Sequence, residues 1–382
     1  MSAFHAVALN VEVRLLQPGL DVQAQFRVSP GHVCALIGRP GSGKTALAQS
    51  IAGLLPTQGG RVSLGAQTLF DAPTRLSLPP DQRAIGWLDG EGLLFGHLRV
   101  RENLMFGWRR CKAPMPGLSP DAIIDWLHLR SALNCWPHEL NALQRQKVAL
   151  GRALLASPKA LILNQPLAEL PQHEHAEFLD LLAQAHQRYP MPTVLVTQQM
   201  DEVVRLADEV VILHEGRVAS AGAVHKVLSD VSLSTFLDGP NAGFVLEAKV
   251  RQHDIDWLLT EVEVAGQRIS VPAVLANEGK RVRLKLRARD ANIHLTPHRD
   301  PAVSNELRGR ITQIMLAGDH GSYGAVVVTL HHFIDAHDPG TSEGDTVWAL
   351  LTRRSIQQMK LAPGMDCHVS FKAMAVSVSP RP

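Results

Sequence analysis

"GRPGSGKT", residues Gly38 to Thr45, decides how the chain is read. It follows the apolar run "VCALI" and opens the helix-like stretch "ALAQSIAGLL", so strand, glycine-rich turn and helix come in that order. The pattern is G-x-x-x-x-G-K-[ST], and each residue type in it has a physical task. Gly41 and Gly43 let the backbone curl until its N–H groups and the helix N-terminus point at phosphates. Lys44 neutralises β/γ-phosphate charge, and Thr45 offers a hydroxyl to Mg2+. Gly38, Arg39, Pro40 and Ser42 complete the cradle. A plain strand-to-helix turn needs the glycines but neither the lysine nor the threonine, so nucleotide binding is expected.

Around this motif, residues 1 to 238 mix short apolar runs ("ALILN", "TVLVTQ") with helical patterns such as "QRQKVALGRALLAS". That alternation predicts an α/β domain with a mostly parallel core sheet. After "FLDGPNAG" the character changes to short alternating segments, among them "RVRLKLRA" and "CHVSFKAMAVSVS". We place a boundary at Asp238 to Gly243 and expect residues 243–382 to form a small β barrel. The polar insertion "IDAHDPGTSEGD" reads as a surface hairpin tip.

Composition narrows the function classes. A chain of 382 residues is long enough for two or three domains, and its 45% hydrophobic and 19% charged residues are an ordinary globular balance. The net charge of +2 gives no reason to expect a nucleic-acid partner. Cys34, Cys111, Cys135 and Cys367 are far apart, which points to neither a metal site nor a disulfide framework and suits a reduced, cytoplasmic compartment. His5, Glu12 and Arg14 interrupt the first segment, and no run of about 20 apolar residues occurs, so neither a signal peptide nor a membrane span is expected. His173 and His175, two apart, point to different sides of a helix start and are read as surface groups. Trp87 and Trp108 are expected to pack a helical part or line a docking groove.

Beyond the phosphate loop, four stretches resemble ABC-transporter ATPase subunits, most narrowly those of molybdate importers. "RAIGWLDGEGLLFGHLRVRENLMFG" is similar to the segment carrying the family's Q-loop, and "LNALQRQKVALGRALLASP" to the signature loop and its helix. "LILNQPLAEL" is similar to Walker B and the D-loop, and "VLVTQQMDEVVRLADEVVIL" to the switch-histidine region. The back portion, with "SNELRGRI", "LLTRRSIQQMKLAPG" and "FKAMAVSV", resembles the family's oxyanion-binding barrel. The resemblance implies a P-loop ABC ATPase domain with a helical subdomain at about 87–150, then an all-β OB-like domain. It also implies ATP and Mg2+ as cofactors, a homodimer, permease subunits docked through the 87–110 region, and a peripheral place on the inner face of the cell membrane.

The same resemblance, laid residue by residue, puts other groups where the family's functional residues stand. The Q-loop glutamine falls at Gly90, LSGGE over Leu140, Asn141, Ala142, Leu143 and Gln144, and the Walker B acids at Asn164 and Gln165. The D-loop aspartate falls at Pro171 and the switch histidine at Gln198. An amide at 164 lacks the charge that a hard cation prefers, so Mg2+ is expected to be weakly held. An amide at 165 has no useful basicity toward an attacking water, a loss typically of about 10²- to 10⁴-fold in rate. In the barrel, Asn305 and Lys372 match the family's molybdate contacts, while Ser304, Met374 and Ala375 stand where its arginine and serines would be. The expectation is an ATP-binding importer subunit that hydrolyses weakly or not at all. The other reading is a non-catalytic paralogue that senses nucleotide or oxyanion.

Overall fold

The computed structural model describes residues 7–17, 19–111, 114–233, 242–274, 276–297, 305–316, 322–332 and 345–380. The chain divides into two compact units between Gly222 and Ala223.

In the first unit, β1 (Leu9–Gln17) and β2 (Leu20–Val28) form a hairpin, followed by β3 (Val33–Ile37) and α1 (Lys44–Ala52). Then come β4 (Gly59–Leu64), β5 (Gln67–Asp71), β6 (Leu76–Ser77) and β7 (Ile85–Asp89). The helices α2 (Val100–Trp108), α3 (Pro120–Trp126) and α4 (Ala142–Leu155) precede β8 (Ala160–Asn164), α5 (His175–Arg188) and β9 (Thr193–Val196). The unit closes with α6 (Met200–Leu206), β10 (Glu209–His214) and β11 (Arg217–Ala223). One eleven-stranded sheet has the order β6-β5-β4-β1-β2-β11-β10-β3-β9-β8-β7.

The expected parallel core is present as β10-β3-β9-β8-β7, whose strands all run the same way. Every residue of β3, β8 and β9 is buried, which is why these strands read as continuous apolar runs. The other side of the sheet is an antiparallel wing, β1 with β2 and β4, and β4 with β5. In β1 and β2 buried and exposed residues alternate, because one face meets water. Trp87 lies in β7 and packs half-buried on the core that holds Leu47, Ala48 and Ile51 of α1, so it belongs to the sheet and not to a helical part. The helical part expected from about 87 therefore begins at Val100, after the strand.

Helix α1 is anchored at the end away from the glycine loop. Arg83, only 2% exposed, donates from its guanidinium to the carbonyls of Ser50 and Ile51 at 2.8 Å each and to Leu78 O at 2.8 Å. Those helix carbonyls would otherwise be partly unsatisfied.

The second unit begins with α7 (Val224–Leu228) and continues with β12 (Gly243–Asp254), β13 (Leu259–Val264), β14 (Gln267–Pro272) and β15 (Arg281–Arg287). It goes on through β16 (Asn292–His294), β17 (Asn305–Leu316), β18 (Tyr323–Leu330), β19 (Thr346–Thr352), α8 (Arg353–Gln358), β20 (Asp366–Phe371) and β21 (Ser377–Pro380). Two five-stranded sheets, β14-β13-β12-β15-β21 and β16-β20-β17-β18-β19, enclose one core around Trp348 and Phe244, the all-β OB-like arrangement. Most of the expected boundary at 238–243 lies outside the described residues, as does most of "IDAHDPGTSEGD". Helix α7, assigned from sequence to the first domain, sits in the second unit. Ser229, just after it, exchanges two 3.2 Å hydrogen bonds with the backbone of Val245 on β12.

Candidate functional site

Parallel pairing gathers the carboxyl ends of neighbouring strands, and open α/β sheets bind ligands outside those ends. Here the register sets Leu36 of β3 beside Val196 of β9, Val196 beside Asn164 of β8, and Asn164 beside Asp89 of β7. The glycine loop, residues 164 and 165, and residues 197 and 198 therefore emerge on one rim.

The loop has the shape its sequence predicts. Gly43, at φ 96°, is the N-cap of α1, and a Cβ there would lie 2.5 Å from the Val22 side chain, so glycine alone fits. Lys44 is 4% exposed, and its Nζ donates to Gly38 O at 2.7 Å, Arg39 O at 2.8 Å and Ser42 Oγ at 3.3 Å. Burial pushes its amine below the ordinary lysine value. A phosphate beside it would favour the charged form, so anion binding and lysine charge reinforce each other.

Beside the loop runs a chain of polar side chains. The Thr45 hydroxyl donates to Asn164 Oδ1 at 3.3 Å, and Asn164 Nδ2 donates to Asp89 Oδ2 at 2.9 Å. The Glu91 N–H approaches Asp89 Oδ1 at 3.3 Å, and Gln146 Nε2 donates to the Asp89 carbonyl at 3.0 Å. Hydroxyl, amide and carboxylate oxygens make a hard donor set of the kind Mg2+ takes, so the residues present fit nucleotide-bound Mg2+. Among the described residues, no group of three or more His, Cys, Asp or Glu forms a metal site independent of a nucleotide.

Gln165 follows in the left-handed conformation at φ 49°, with its N–H donating to Val196 O at 2.8 Å. Gly90 lies against it. A Cβ at 90 would stand 2.3 Å from Gln165 O and 3.1 Å from the Ala168 methyl, so this backbone has no room for a side chain at 90. Gln198 sits exposed just past β9. At the signature position, Asn141 caps α4: its Oδ1 accepts the Gln144 N–H at 2.8 Å, while Gln144 Oε1 accepts the Asn141 N–H at 3.1 Å. Leu143 is 8% exposed, a packing residue. The helix start is thus closed upon itself by a capping box.

Next to β9, Glu202 is 1% exposed, and one of its carboxyl oxygens is buried without a hydrogen-bond partner. Burial raises its carboxyl to about 7, against the opposing pull of a hydrogen bond from Thr197.

In the second unit, Asn305 is 1% exposed, and its side chain forms a strut. Its Oδ1 accepts the Ser270 N–H, and its Nδ2 donates to Ser270 O, both at 2.7 Å. Lys372 is exposed before the turn that carries the exposed Met374, and Ser304 lies outside the described residues.

The ABC transporter family model matches residues 22–168, which span the glycine loop, the signature helix and β8. The molybdenum import ATP-binding protein ModC of Rhodospirillum rubrum is 35% identical over 368 residues, covering 96% of this chain and 97% of its own. This chain belongs to the ABC-transporter ATP-binding family. Proteins of the same name from Albidiferax ferrireducens (33% identical, 96% of each chain) and Paramagnetospirillum magneticum (32%, 97% and 98%) match it as fully. The likeness therefore runs through the ATPase domain and the barrel alike.

The sequence alone does not single out Asp89, because the Q-loop resemblance falls one residue later, at Gly90. A signal was present. "AIGWLD" is an apolar strand ending in an acid, as "ALILN" is an apolar strand ending in an amide, and parallel pairing sets the two ends side by side.

Proposed function

We propose that the chain is the ATP-binding subunit of a molybdate-type oxyanion importer that binds ATP but hydrolyses it weakly or not at all. It would act as a homodimer, on the cytoplasmic face of a membrane that holds its permease subunits. One juxtaposition carries the reading: a complete phosphate loop shares its rim with Gln165, an amide where hydrolysis needs a base. Lys44 and the N–H groups of residues 41–45 would hold the β- and γ-phosphates, and Thr45 would offer its hydroxyl to Mg2+. The ion's part in such a site is to offset phosphate charge. Gln165 can orient a water by hydrogen bonding but cannot take its proton. The self-capped start of α4 and the exposed Gln198 offer no obvious replacement for γ-phosphate clamping across a dimer. Full-length likeness to molybdenum-import proteins supports the transport setting and the oxyanion class.

The test is paired. Calorimetry should show ATP binding that Lys44→Ala abolishes, and the purified protein should release phosphate at the rate of the blank. Robust Mg2+-dependent hydrolysis that Lys44→Ala removes would overturn the reading.

A further inference from the structure

We infer that Asp89 is the metal-positioning carboxylate of this site, supplying from β7 the negative charge that Asn164 lacks on β8. The inference rests on the proposed reading, because it needs nucleotide in the phosphate loop.

Three observations carry it. The first is register: β7 and β8 are parallel with Asp89 directly beside Asn164, so the two side chains leave adjacent strands at the same height. Residues 85, 87 and 89 share one face of β7, and Ile85 and Trp87 pack on the core that contains Leu47, Ala48 and Ile51 of α1. Asp89 therefore lies on the face occupied by the phosphate-loop helix. The second is contact: Thr45 reaches Asn164 Oδ1, and the other end of that amide donates to Asp89 Oδ2, so hydroxyl, amide and carboxylate form one continuous chain. An ionised aspartate at 164 could accept but could not donate to residue 89. The asparagine is what allows a carboxylate to sit next door.

The third is charge. Among the described residues Asp89 has no lysine, arginine or histidine in an ion pair, although it is only half exposed and stands at a site built for an anionic ligand and its cation. Mg2+ usually keeps several of its waters and is held through one or two carboxylates plus substrate phosphates. Asp89 would accept hydrogen bonds from such waters, with Thr45 on the phosphate side. The site then keeps a single negative charge, moved by one strand. Gly90 completes the exchange, since the contact with Gln165 O leaves no room for a side chain at the neighbouring position.

The experiment measures ATP affinity of the full chain by calorimetry, with Mg2+ and with EDTA, and reads the ratio of the two. Removing an outer-shell metal partner typically costs about 10- to 100-fold in metal affinity. Asp89→Asn should therefore bind ATP in EDTA as the parent does but lose most of the tightening that Mg2+ gives. The double variant Asp89→Asn with Asn164→Asp, which returns the charge to β8, should recover it. Mn2+ resonance with ATP present gives a second readout, in which bound Mn2+ should fall in Asp89→Asn and return in the double variant. A parent-like Mg2+ ratio in Asp89→Asn, or a folded double variant that does not recover, would overturn the inference while leaving the ATP-binding reading intact. No ATP binding by the parent in either medium would overturn both.

Discussion

An aspartate placed at residue 164 on its own is predicted by the structure to destabilise the protein. Asn164 is 8% exposed and donates to Asp89 Oδ2 at 2.9 Å. Asn164→Asp deletes that donor and leaves two carboxylates in contact. A hydrogen bond to a charged group contributes about 1.5 to 3 kcal/mol, and two like charges 4 Å apart repel by about 4 kcal/mol at an effective dielectric constant of 20. Side-chain rotation and sharing of one proton relieve part of this, so we expect a net cost of about 2 to 4 kcal/mol at pH 8 without metal. For a unit of this size that lowers the melting temperature by about 4 to 16 °C. The pH dependence has a definite sign. A shared proton raises one carboxyl of the folded variant above its unfolded value. The variant therefore recovers stability on acidification and loses it as pH rises through the raised value. Scanning calorimetry in EDTA at pH 5 and pH 8, on the parent, Asn164→Asp and Asp89→Asn/Asn164→Asp, reads all of this. The double variant should melt near the parent. A single variant that melts with the parent at pH 8 would show that residues 89 and 164 do not face one another.

Gly90→Gln should cost about 1 to 3 kcal/mol in thermal unfolding, because its Cβ is forced to within 2.3 Å of Gln165 O; unchanged stability would mean the backbone yields there. Glu202 holds a proton in the folded state up to about 7, against an unfolded value near 4.5, so its contribution is present below pH 4.5 and is lost as pH rises to 7. Glu202→Gln should remove a fall of about 3 kcal/mol over that interval, seen as a flatter profile of melting temperature against pH. Asn305→Leu should cost about 2 to 4 kcal/mol in urea unfolding, since it strands the Ser270 N–H and carbonyl that Asn305 now satisfies. Molybdate titrated into the full chain should bind only weakly, because the Asn305 amide is already engaged on both sides; submicromolar affinity would refute this.

The parts of the fold written in local pattern could be read from the sequence. The glycine loop, the buried parallel strands and the change to alternating segments after residue 243 each follow from residue type and spacing. The antiparallel wing was not read, because pairing partners as far apart as β1 and β4 leave no trace in spacing. The placement of α7 was missed for a similar reason: the bonds between Ser229 and Val245 cross a segment that composition marks as a linker. At the site, motif positions raised an expectation at 90, 164, 165 and 198. They could not tell what stood nearby, since Asp89 acquires meaning only when β7 is laid beside β8.

The clamp of Arg83 on the far end of α1 bears on how such a chain can change over time. The helix that aims its N-terminus at phosphate is anchored at its other end by a buried guanidinium and along its side by the sheet, and neither 165 nor 198 is among those supports. Holding the nucleotide and cutting it therefore rest on separate foundations. A domain built this way can keep its hold on ATP while the residues beside the phosphates change.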